Sequence, residues 1–119
     1  SGLPIGYFGA STGGGAALRA AAEDAGRIAA VVSRGGRPDL AGAALQRVEA
    51  PTLLIVGSRD PVVLELIQAA LQQLHCEKSL AVVPGATHLF EEPGTLDEVV
   101  RLATAWFARH SAAWSNGRG

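Results

Sequence analysis

Four short apolar runs divide the chain, and each is followed by glycine- or proline-containing segments and then by a stretch with helical spacing. The runs are Pro4–Phe8, Ile28–Val32, Thr52–Val56 and Leu80–Val83. They are continuous rather than alternating, which is the pattern of strands buried on both faces of a parallel sheet. Between them, the first helix is predicted from Thr12 to Ala25, with Leu18 and several alanines packed and Gly26 ending it. Asp39 is placed to cap a short helix that ends near Arg47. From Val62 to Leu74, the positions Val63, Ile67, Ala70, Leu71 and Leu74 fall on one helix face. Thr95 and Glu98 have capping-box spacing at the start of a last helix that carries Leu96, Val99, Ala103 and Phe107 on one side. The pattern predicts an α/β domain over residues 1–110, with a parallel sheet of about four strands flanked by helices. Residues 111–119 read as a flexible tail.

Composition narrows the class. With 119 residues the chain holds one core, and 48% hydrophobic against 18% charged residues is apolar for that size. No run of about 18 apolar residues is present to span a membrane. A net charge of −1 with scattered basic residues gives no footprint for nucleic acid. The single Cys76 excludes an internal disulfide, lacks a metal-ligand companion, and reads as a small free thiol. The chain contains no methionine and opens on Ser-Gly just before a core strand, so it is expected to be either a recombinant segment or a piece of a longer protein. The expected location is cytoplasmic.

The chemistry concentrates at the carboxyl ends of the apolar runs, where open parallel sheets bind ligands. Gly9-Ala10-Ser11-Thr12-Gly13 is a Gly-x-Ser-x-Gly between strand and helix, the setting of a nucleophile elbow. Small residues on either side let the backbones approach and hold the serine in a sharp turn, beside a helix amino terminus. A plain strand-to-helix turn in a chain with 15 glycines gives the same letters. A P-loop needs Lys and Ser or Thr after its last glycine, whereas Gly15-Ala16 follows Gly14. A dinucleotide fingerprint fails because Leu18 stands where its third small residue belongs. Asp60 follows the third run and His88 the fourth. A serine hydroxyl needs a base within hydrogen-bond reach, and that base needs a partner to fix its tautomer. Taken singly, Asp60 before Pro61 reads as a helix cap and His88 as a loop histidine. Taken together, Ser11, Asp60 and His88 lie in chain order at the same end of successive strands, and that favours catalysis. Arg34, Arg37 and Asp39 read as solvated loop charges.

Tyr7–Gly13, Gly57–Asp60 and Pro84–Pro93 resemble segments of the α/β-hydrolase superfamily, most of all its dienelactone-hydrolase-like branch, which also occurs fused to phosphoribosyltransferase domains. The resemblance implies nucleophile, acid and base at Ser11, Asp60 and His88, and an oxyanion-hole N–H at Thr12. It implies a serine carboxylesterase acting on small esters through an acyl-enzyme, with no metal or organic cofactor. There are two departures. Dienelactone hydrolases use a cysteine nucleophile where this chain has Ser11. The superfamily fold also has about eight strands, and the chain matches only its second half. The loop that gives a second oxyanion donor is then missing, and losing one donor costs about 100- to 1000-fold in rate. The first strand becomes an apolar edge, so the truncated fold is expected to be completed by homodimerisation, two Pro4–Phe8 strands pairing about a two-fold axis. The alternative reading is a catalytically weak or inactive half-hydrolase serving as an oligomerisation or regulatory module.

Overall fold

The computed structural model describes the backbone of residues 5–10, 12–23, 28–35 and 38–118, and side chains within 6–10, 17–23, 28–35 and 41–110. Four strands, β1 (Ile5–Ala10), β2 (Ile28–Arg34), β3 (Thr52–Gly57) and β4 (Lys78–Val83), form one sheet in the order β1-β2-β3-β4. Every pairing is parallel. The helices are α1 (Thr12–Glu23), α2 (Pro61–Gln73) and α3 (Thr95–Arg118), and a 3-10 segment, Pro38–Arg47, lies between β2 and β3.

The continuous apolar runs serve two cores at once. Successive side chains of a strand point to opposite faces. On one face, Val31, Leu54 and Val56 pack with Leu18, Ala21 and Ala22 of α1, Leu45 of the 3-10 segment, and Val63, Ile67 and Ala70 of α2. On the other, Ala30, Val32, Leu53 and Ile55 pack with Val99, Ala103 and Trp106 of α3. Every residue of β3 is buried. Mean burial falls off at β4, an edge strand whose Lys78, Ser79 and Val82 are exposed.

Several details differ from the sequence reading. The Thr95–Glu98 capping box does not form. The Thr95 hydroxyl donates instead to the Glu92 carbonyl (2.8 Å), Gly94 accepts the first intrahelical N–H from Glu98 (3.1 Å), and the Glu98 carboxylate pairs with Arg101. That pairing holds Glu98 below the usual carboxylate range, first through its hydrogen bond to Arg101. The packed face of α3 is turned relative to the expected one. Leu96 is exposed, and Trp106 is buried with its indole N–H donating to the Pro51 carbonyl at 3.2 Å. The helix also continues through Arg118, past the point at Ser111 where the sequence suggests a tail. Ser111-Ala112-Ala113-Trp114 contains no helix breaker, and Gly117 is the first.

The 3-10 segment is broken at Gly42 (φ 55°, ψ −131°), so it is not the regular helix expected there, and the Asp39 side chain lies outside the described residues. No helix among the described residues is long and apolar enough to cross a membrane.

Candidate active site

β1 ends at Ala10 and α1 begins at Thr12, so a single residue, Ser11, separates strand from helix in the chain. That is the spacing an elbow requires. Ser11 itself lies outside the described residues, as does the Thr12 side chain. Thr12 enters as the first residue of α1, where a main-chain N–H has no intrahelical acceptor.

The other candidates meet. His88 Nδ1 lies 2.9 Å from Asp60 Oδ2. The Asp60 side chain is 12% exposed and that of His88 37%. An ionised carboxylate only accepts, so the proton of neutral His88 sits on Nδ1 and Nε2 carries the lone pair. That is the tautomer a general base needs.

Local chemistry explains why Asp60 is available. It stands at the N-cap of α2, yet its side chain makes no cap hydrogen bond, and Pro61 supplies the first helical residue. The helix-cap reading of Asp60 is therefore not what its carboxylate does. The main chain performs the structural part, Asp60 accepting from Leu64 N–H at 3.0 Å.

The loops bearing the pair are stitched together. Ser58 N–H donates to the Val83 carbonyl (3.0 Å) and Arg59 N–H to the Ala86 carbonyl (2.9 Å). Gly85 N–H donates to Ser58 Oγ at 2.8 Å. Gly57 permits this approach, because a Cβ there would collide with the Ala86 carbonyl. The loop after β2 closes a third side. Gly35, at φ +53°, brings its backbone against His88 and Phe90, where a Cβ would lie 3.2 Å from the His88 carbonyl oxygen. Arg34 is not simply solvated: its guanidinium stacks 5.2 Å from the Phe90 ring centroid and reaches the Leu89 carbonyl at 3.5 Å. Arg37 falls outside the described residues.

The segment after β4 carries signals the sequence reading passed over. Phe90 is buried and adopts φ +57°, an unusual conformation for a non-glycine residue. Glu92 turns back on Thr87, its carboxylate accepting the Thr87 N–H (3.1 Å) and hydroxyl (2.6 Å). The Thr87 hydroxyl, with main-chain donors and the Arg59 charge adding to it, holds Glu92 below the usual carboxylate range. A Thr and a Glu five apart around a histidine was the available clue. Among the described residues, no three His, Cys, Asp or Glu side chains come together as a metal site.

Comparison with known proteins places this geometry. The sequence model of the dienelactone hydrolase family matches residues 2–114. The chain is 66% identical over 108 residues to putative phosphoribosyl transferases from two Mycobacterium tuberculosis strains, covering 91% of this chain and 24% of theirs. A dienelactone hydrolase from Anabaena variabilis superposes with a TM-score of 0.89 at 59% identity, over 91% of this chain and 50% of that one. A monoacylglycerol lipase from Paleococcus ferrophilus gives 0.76 at 20% identity, over 92% of this chain and 70% of that one, a likeness of fold alone. The chain thus spans about a quarter of its curated relatives and half of the Anabaena protein. Four parallel strands with helices on both faces, and a match over almost its whole length, make this chain a member of the dienelactone hydrolase family, carrying part of the α/β-hydrolase fold.

Proposed function

We propose that the chain carries the nucleophile, base and acid of a serine carboxylesterase acting on small esters. The observation that carries this reading is the 2.9 Å contact between His88 Nδ1 and Asp60 Oδ2 at the carboxyl ends of β4 and β3. In the proposed reaction, His88 Nε2 removes the Ser11 proton as Oγ bonds to the ester carbonyl carbon. The carbonyl π pair moves to oxygen, and the Thr12 N–H at the start of α1 stabilises that charge. Collapse expels the alkoxide, which leaves as alcohol with the proton from His88. Water, deprotonated by the same nitrogen, then attacks the acyl-serine and restores the free hydroxyl. Asp60 stays ionised throughout and stabilises the transient imidazolium.

The transferase name belongs to proteins about four times the length of this chain, and the family matched here is one of hydrolases. A second reading has its own support. The chain spans half of the Anabaena hydrolase, and β1 has a hydrogen-bonded neighbour only in β2 among the described residues. On that reading the chain is a weak or inactive half-hydrolase that serves in assembly. The expected two-fold pairing of β1 strands fits either reading.

Hydrolysis of p-nitrophenyl butyrate, with Ser11→Ala beside it, tests the proposal. Turnover that disappears in the variant, together with fluorophosphonate labelling of Ser11, supports the esterase. Folded protein that neither turns over nor labels leaves the assembly module.

A further inference from the structure

The proposed reaction uses Asp60 and His88 but gives no task to Glu92, whose carboxylate accepts two hydrogen bonds from the residue before His88. Thr87, immediately before His88, gives both its polar hydrogens to that one carboxylate, the hydroxyl at 2.6 Å and the N–H at 3.1 Å. Charged acceptors make the stronger and more directional hydrogen bonds. The remaining polar group of Thr87, its carbonyl, accepts the Phe90 N–H at 3.2 Å. Thr87 is thus tied at all of its polar atoms, and His88 is the second residue of the turn this produces. Phe90 fixes the far end of the turn, buried against Gly35 and under Arg34. Glu92 is itself anchored, because its carbonyl accepts both the N–H (3.1 Å) and the hydroxyl (2.8 Å) of Thr95 at the start of α3. A continuous chain of bonds therefore runs from α3 through Glu92 and Thr87 to the backbone that presents the His88 ring.

We propose that Glu92 is a positioning residue of the site, setting the placement of His88 on Asp60 through its double hold on Thr87. The inference rests on the esterase reading for its kinetic consequence and not for its geometric one. Glu92 touches neither substrate nor reacting atoms. Its effect is on how often His88 Nδ1 occupies the short contact with Asp60, and so on how often Nε2 is aimed at the nucleophile.

The test compares Glu92→Gln, Thr87→Val and Thr87→Ser with the unsubstituted protein, using two readouts. The first is p-nitrophenyl butyrate kinetics. A glutamine side chain offers one carbonyl oxygen for two donors, and valine keeps only the main-chain donor, so both variants loosen the turn. Small misplacements of a catalytic group cost up to about 100-fold, so kcat is expected to fall by about 10- to 100-fold with KM unchanged within about twofold. Thr87→Ser keeps the hydroxyl and restores kcat. The second readout is the downfield proton resonance of His88 Nδ1–H, assigned by its loss in Asp60→Asn. It is expected to broaden or vanish in Glu92→Gln and Thr87→Val, and to return in Thr87→Ser.

Variants that melt earlier yet keep both kcat and the resonance overturn the proposal, since Glu92 then only braces the loop. Thr87→Ser behaving like Thr87→Val overturns it as well. If the unsubstituted protein shows neither turnover nor Ser11 labelling, the esterase reading fails. The resonance then decides the placement of His88 by Glu92 independently.

Discussion

The two ends of the sheet are built differently. At β3 and β4, the following loops are joined by the Ser58–Val83, Arg59–Ala86 and Gly85–Ser58 hydrogen bonds, and the Asp60–His88 contact lies inside that mesh. At β1, the strand has β2 on one side and no further strand among the described residues on the other, and Phe8 is 49% exposed. Both ends bear candidate chemistry, and among the described residues only the β3–β4 end is cross-linked loop to loop. The hydrogen bonds that join the Asp60 and His88 loops come, among the described residues, from residues 57–95. Among the described residues the strand leading to Ser11 is an edge, and an apolar edge strand favours a neighbour. Within the described residues, the Asp60–His88 end of the sheet is thus the more fully cross-linked of the two.

The largest break in this contrast is chemical. Ser11→Ala is expected to reduce ester hydrolysis to the background rate. Asp60→Asn, which leaves His88 in the wrong tautomer, is expected to lower kcat on the order of 10^3- to 10^4-fold. Progress curves with a p-nitrophenyl ester measure both. Equal activity in Asp60→Asn would mean that the well-built end has no part in the chemistry.

Next in size is the mesh itself. Gly57→Ala drives a methyl group into the Ala86 backbone, which cannot yield as a flexible side chain would. A cost of about 3 kcal/mol is expected, in the range of severe overpacking. Urea unfolding followed by circular dichroism reads it. The same substitution should weaken the His88 Nδ1–H resonance, because the β4 loop must move.

The opposite end predicts the opposite response. Phe8→Lys is expected to change the unfolding free energy by less than about 1 kcal/mol, since half of the side chain is already in water. Its effect should appear in light scattering at micromolar concentration. A dimer mass for the unsubstituted protein and a monomer mass for Phe8→Lys would place the contact on β1. A monomer in both cases means that a second copy does not close this edge.

The smallest effect is in pH. Glu92 titrates lower in the folded chain than when unfolded, chiefly through the Thr87 hydroxyl. Its contribution to stability is then complete above the ordinary carboxylate range and lost as pH falls through the lowered folded value. The stability difference between the unsubstituted protein and Glu92→Gln, measured by urea titration at successive pH values, should stay constant from neutrality down to that range and shrink below it.

The same contrast governs what could be read from the letters. β3 was legible because Thr52-Leu53-Leu54-Ile55-Val56 feeds both cores and has no polar face to confuse with a helix. The meeting of Asp60 and His88 was legible because sharp turns, Gly57-Ser58 and Pro84-Gly85, announce strand ends, and strand ends of a parallel sheet converge. The role of Glu92 was not, because it depends on a turn in which Phe90 takes a conformation that no propensity favours. The Thr95 capping box failed for a related reason: the Glu92 carbonyl lies close enough to take the hydroxyl first. Trp106 was missed because helical spacing fixes a face only to within the rotation that packing chooses. Here α3 turns to bury Trp106, whose indole finds Pro51, and leaves Leu96 outside.

One feature of α2 reaches into how such a protein changes over generations. The acid sits at the threshold of the helix but does not hold the threshold up: Pro61 and the main chain start the turn, and the Asp60 carboxylate is spent on His88. On the proposed esterase reading, folding and chemistry therefore draw on different atoms of the same residue. On that reading, a lineage can exchange Asp60 for asparagine or serine, lose the proposed reaction, and keep the helix. The scaffold can outlive its enzyme, so a descendant with an intact fold and a silent site is an accessible step rather than a ruined one.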